Sequence, residues 1–181
     1  MVSYYLQDSV NETFMSEKFE ISKNSGAHNR LHQLEGEWSG IAKTWFEPGE
    51  PVDASPVTGS IRPVLGGQFM LHEYKGSFGG KPLEGMAILG FHIDLKQYQC
   101  AWIDSFHTGL AIMLSKGEKG ELEQMSMLGS YAYVTPETEQ HWGWRTSIEF
   151  RSDDEVVITA FNISPEGEEA KATEVVYNRI R

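Results

Sequence analysis

A single cysteine, Cys100, occurs in the 181 residues, so no internal disulfide braces this chain. Placed between Tyr98 and Trp102 in a strand-like pattern, it reads as a small buried thiol rather than a nucleophile. Basic residues are scarce: 15 Lys and Arg against 26 Asp and Glu leave a formal charge of -11, which argues against a surface that tracks phosphates and hence against a nucleic-acid partner. No apolar run approaches the roughly 18 residues of a membrane helix. Met1 to Val10 lack the basic-then-apolar order of a secretory signal, so the reading is a cytoplasmic protein with no membrane partner. The histidines at 28, 32, 72, 92, 107 and 141 show no recurrent ligand spacing, and neither a metal nor any other cofactor is expected.

What the chain has in quantity is glycine, 18 residues, and aromatic side chains, 12%, a mixture suited to short strands joined by tight turns. Alternating stretches run from Glu37 to Glu47, Thr58 to Val64, Gln68 to Phe78, Leu83 to His92, Tyr98 to Asp104, His107 to Ser115, Leu122 to Gly129, Trp142 to Phe150, Glu155 to Ile163 and Glu168 to Arg179. Turn signals such as Leu65-Gly66-Gly67 and Ser164-Pro165-Glu166-Gly167 separate them, and no long helical pattern intervenes. The expected fold is all-β, an up-and-down antiparallel β-barrel of about ten strands, because closure removes exposed sheet edges. Residues 1–26 read as an N-terminal extension and 27–181 as the barrel domain. In the extension Tyr4, Tyr5, Leu6, Phe14 and Met15 are available to pack on the barrel. A short N-terminal helix is expected from Ala27 to Leu34, with His28 and His32 on one solvent-exposed face.

Gly36-Glu37-Trp38 at the start of the first strand, with an arginine near the carboxyl terminus, resembles the signature of the calycin superfamily, which includes lipocalins and fatty-acid-binding proteins. The resemblance implies that Trp38 plugs one barrel end beneath Arg179, with Arg181 the alternative. An indole supplies the apolar plug, and a guanidinium can stack on it while donating to backbone carbonyls. Leu34-Glu35-Gly36-Glu37-Trp38, Arg62-Pro63-Val64-Leu65-Gly66-Gly67, His72-Glu73-Tyr74-Lys75-Gly76, Leu83-Glu84-Gly85-Met86 and Trp102-Ile103-Asp104-Ser105 look like a bacterial calycin-like family of unknown function. That resemblance implies a barrel and no settled activity.

No catalytic residue is assigned. Ser105 and His107 follow Asp104, which invites a hydrolase-type reading with a carboxylate and His site, but no nucleophile elbow surrounds the serine. The favoured function is binding of a small, mostly apolar molecule in the lumen. Its polar groups are expected from Arg62, Glu73, Trp102, Asp104, His107 and Arg145. Strand alternation puts either Glu73 or His72 inside, with Arg62 and Arg145 as candidate partners for a buried Glu73. The alternative is a structural or interaction protein, a homodimer formed through outward aromatic residues such as Trp45.

Overall fold

The computed structural model describes residues 17–181. Residues 17–25 form a helix (α1), followed by α2 (Ala27–His32). Ten strands follow: β1 (Gly36–Thr44), β2 (Asp53–Val64), β3 (Phe69–Phe78), β4 (Lys81–His92), β5 (Gln97–Asp104), β6 (Met113–Lys116), β7 (Met125–Val134), β8 (Glu139–Ser152), β9 (Glu155–Ile163) and β10 (Glu169–Arg179). Each strand pairs antiparallel with its chain neighbours. The ring closes because β1 also pairs with β10, from Trp38↔Arg179 to Thr44↔Thr173. The fold is therefore the closed up-and-down all-β barrel that the alternation predicts.

Period-two patterning decides which residues fill the barrel. On β2, Ser55, Val57 and Ile61 are buried while Ala54, Pro56 and Thr58 are exposed. On β3 the inward set is Met70 and His72, so Glu73 faces outward. One half of the interior, the end closed by α2, is packed solid with Leu31, Leu34, Trp38, Ile61, Met70, Tyr98, Met125, Met127, Val156 and Tyr177, all at most 2% exposed. Gly36 sits at φ 150, and a Cβ there would collide with the Arg179 guanidinium, which accounts for a glycine two residues before the tryptophan.

Two expectations need correction. Residues 105–112 are a loop rather than the start of the sixth strand, which begins only at Met113. The Asp104 and Thr108 side chains take up the backbone groups that a ladder would otherwise use. His28 and His32 are not solvent-exposed partners on a free helix face. His28 is buried between Phe19 and Phe91, with Nδ1 2.9 Å from the Ser22 hydroxyl, and His32 Nε2 lies 2.8 Å from the Gly67 carbonyl oxygen. Helix α1 covers this region, tied to the barrel by a 2.6 Å Lys18–Asp94 ion pair. Tyr4, Tyr5, Leu6, Phe14 and Met15 lie outside the described residues.

Candidate functional site in the barrel lumen

The half of the barrel away from α2 is not filled by its own side chains. It leaves a cavity of about 120 Å³ between Leu89, Trp102, Trp144, Ile148, Ile158 and Val175, with His72, Tyr74, Asp104, His107 and Tyr177 among its polar lining residues. Trp102 and Trp144 stack with ring centroids 5.3 Å apart, and the His107 ring lies 5.7 Å from each.

Asp104 organises this wall. Its side chain is fully buried, and Oδ1 accepts the backbone N–H groups of Phe106, His107 and Thr108, while Oδ2 lies 2.6 Å from His107 Nδ1. Burial alone would push the carboxyl up. The hydrogen bond from His107, with the N–H groups of Thr108 and Phe106, outweighs it and holds Asp104 below the usual carboxylate range. The Tyr74 hydroxyl receives the Trp102 indole N–H at 2.8 Å and donates to Asp104 Oδ2 at 3.3 Å. Burial first, and then the Asp104 charge, push the Tyr74 phenol far up, so it stays protonated. Gly85 leaves the room for this contact, since a Cβ there would strike both the Tyr74 hydroxyl and Asp104. His107 Nε2 is buried without a partner.

Deeper in the lumen His72 Nε2 lies 3.3 Å from the Tyr177 hydroxyl, and desolvation lowers the imidazole to about 4, so His72 is neutral at physiological pH. Burial raises the Cys100 thiol to about 12, which leaves it an inert wall residue. Among the described residues no group of three or more His, Cys, Asp or Glu is placed to hold a metal ion.

Of the residues singled out from sequence, the structure brings Trp102, Asp104 and His107 together on the lumen wall. Trp38 and Arg179 meet at the opposite end, guanidinium carbon 4.1 Å from the ring centre. Arg62, Glu73 and Arg145 do not join the lumen. Arg62 and Glu73 form a 3.5 Å ion pair on the outer face, both about half exposed. Arg145 also points out, over Phe161 and paired with Glu169, whose carboxyl it lowers by that hydrogen bond. Ser105 Oγ accepts the Glu84 N–H instead of facing His107. Trp45 is engaged too, donating to the Gly49 carbonyl and lying under Lys171. Tyr74, Trp144 and Tyr177 were not foreseen as site residues, and His72 only as the alternative to Glu73 inside the barrel. The available signal was parity, because His72 and Tyr74 share the face of Met70.

A wider concavity of about 870 Å³ lies outside the barrel, bounded by Glu37, Glu73, Lys75, Met86, Ile103 and Ile112. It is the larger and more open space, and Tyr74 and Asp104 border both it and the lumen.

The family described as Protein of unknown function (DUF1579) matches residues 23–179. The chain belongs to the DUF1579 family. No curated protein matches it. Two solved structures share the fold of this DUF1579 barrel. One is Rv2717c from M. tuberculosis, at 14% identity and TM-score 0.58 over 86% of this chain and 98% of that one. The other is the S-type phycobiliprotein lyase CPES from Guillardia theta, at 12% identity and TM-score 0.52 over 90% and 97%. At such identities the likeness is one of fold. No helix among the described residues is long and apolar enough to cross a membrane.

The anchoring of the loop on Asp104 can be tested directly. Asp104→Ala is expected to speed amide exchange at Phe106, His107 and Thr108 by about tenfold to a hundredfold, the equivalent of one charge-assisted hydrogen bond. Amides of β9 and β10 should be unaffected when followed by NMR. Unchanged exchange in the loop would show that something other than this carboxylate holds it.

Proposed function

We propose that this DUF1579 protein is a calycin-type barrel that binds a small, mostly apolar molecule in its lumen. The observation that carries the reading is the lumenal cavity of about 120 Å³, walled by stacked indoles and edged by the Asp104–His107 pair. Cavities of about 150 Å³ lined by apolar side chains take up benzene, so the space suits a molecule of single-ring size. The phycobiliprotein lyase of the same fold supports the idea that such a barrel handles small molecules. A buried, free thiol accords with a cytoplasmic location.

The strand pairing supports a route of entry. β6 meets β7 at Ser115↔Gly129 and Lys116↔Leu128, whereas β7 continues along β8 to Val134. The resulting gap lies at the mouth, beside loop 105–112, whose Phe106 stacks on Phe78 at 4.4 Å. Calorimetric titration with benzene is expected to give saturable binding, lost in Ala160→Leu, which fills the lumen from its wall. Absence of binding to the wild-type protein at the solubility limit of benzene would defeat the proposal.

One observation favours a second reading. The register Leu71↔Ile88, Ile88↔Ala101 and Ala101↔Leu114 places a row of apolar residues across the outer face, with Ile88 45% and Leu114 65% exposed. Such a face suits association of two copies. A solution mass twice 20.4 kDa that falls to the monomer value in Leu114→Glu would support it.

A further inference from the structure

If the lumen is the binding site, the polar groups on its wall decide the chemistry of the guest, and the guest class inferred from them rests on that lumen-binding reading. Most of these groups are already satisfied within the protein. Tyr74 hydroxyl, Trp102 indole N–H and Asp104 Oδ2 serve one another, and His72 Nε2 is met by the Tyr177 hydroxyl. The buried side-chain atoms without a partner among the described residues are Arg30 Nε, Trp142 Nε1 and His107 Nε2, and of these only His107 lines the lumen.

Hydrogen-bond logic fixes what that atom offers. Asp104 Oδ1 accepts N–H groups from Phe106 and Thr108 at 3.0 and 3.1 Å and a third from His107, a set that only an acceptor satisfies. Its other oxygen faces His107 Nδ1 at 2.6 Å, so the imidazole proton resides on Nδ1. In the neutral imidazole Nε2 is then the bare nitrogen, an acceptor on the lumen wall. A buried acceptor without a donor is unfavourable, and a guest that brings a donor relieves it.

Size and charge exclude other classes. A space of about 120 Å³ holds one ring and not an acyl chain of lipid length. An anionic guest would meet the buried Asp104 carboxylate, and Lys43 is the one lysine or arginine among the lining residues, since Arg62 and Arg145 point outward. We infer that the lumen selects a neutral, single-ring aromatic molecule bearing a hydroxyl group, of the phenol class. The ring lies against the Trp102–Trp144 stack, and the hydroxyl proton is donated to His107 Nε2.

The experiment compares phenol with fluorobenzene, which matches it in size and lacks the donor, and with benzoate as the anionic control, by calorimetry on the full chain. Phenol is expected to bind about tenfold tighter than fluorobenzene, the worth of one hydrogen bond. Benzoate should not bind. His107→Phe should erase the preference while fluorobenzene binding persists. Independently of any variant, phenol should shift the ¹⁵N resonance of His107 Nε2 and fluorobenzene should not. Equal affinities for phenol and fluorobenzene, or an unmoved Nε2 resonance with phenol bound, would overturn the phenol assignment while leaving lumen binding intact. Failure of both neutral ligands to bind would overturn the two together.

Discussion

Trp38→Ala is expected to lower the free energy of unfolding by about 3–5 kcal/mol, the usual cost of truncating a large buried aromatic side chain. Trp38 is fully buried, and its indole N–H donates to the Leu34 carbonyl at 2.9 Å. It also supports the Arg179 guanidinium, which donates to the carbonyls of Gln33 at 2.9 Å, Asp153 at 3.0 Å and Glu35. Removing the ring therefore opens a cavity and leaves the guanidinium without its platform, at the seam where β1 meets β10. Arg179→Lys is the companion variant. An ammonium can neither stack as a plane nor reach three carbonyls, so a loss of about 2 kcal/mol is expected despite the retained charge. Urea unfolding of both variants would check this, and a Trp38→Ala cost below that of an ordinary surface change would show that the plug is dispensable.

The second large effect is a loss of stability in mild acid that traces to His72. Desolvation holds this imidazole at about 4, against an ordinary value of 6.5. The folded state thus keeps His72 neutral where the unfolded chain already takes up a proton. Stability from this group is present above pH 6.5 and is lost as the pH falls from there towards 4, where the folded form protonates as well. Across that window the loss amounts to about 2–3 kcal/mol. His28 is lowered by burial and by its neighbour His32, and adds a slope of the same sign. His72→Gln, which can still reach the Tyr177 hydroxyl, should therefore flatten the pH dependence between 6.5 and 4.5 by close to one proton without abolishing it. A wild-type unfolding free energy that does not change between pH 7 and pH 4.5 would contradict the assignment.

The barrel was legible because its turns are written in glycine and proline and its strands alternate. The Trp38–Arg179 contact was what the calycin resemblance implied, and closure of the ring pairs those two residues across β1 and β10. The lumen was harder to read. On β3, Phe69, Leu71, Glu73 and Lys75 alternate with Met70, His72 and Tyr74, and both faces carry bulky side chains, so parity alone does not say which set is inside. Glu73 and Arg62 consequently appeared as cavity groups although they pair on the outer face. Arg145 fell to the same ambiguity. The loop after β5 was misread for another reason: Leu110-Ala111-Ile112-Met113-Leu114 looks like strand, but Asp104 and Thr108 bind the backbone around His107 before a ladder can begin. Local side-chain competition of this kind leaves only a faint trace in sequence, here an aspartate followed four residues later by a threonine.

That aspartate couples conformation to chemistry. The same carboxylate that holds the turn after β5 also fixes Nδ1 as the nitrogen of His107 that it binds. On the lumen-binding reading proposed above, a substitution that unties the curl would free the ring to reorient, and discrimination among guests would be lost even while the wall of strands stood untouched. Any selectivity of that kind should thus be as fragile as one short turn, and far more fragile than the cylinder that carries it.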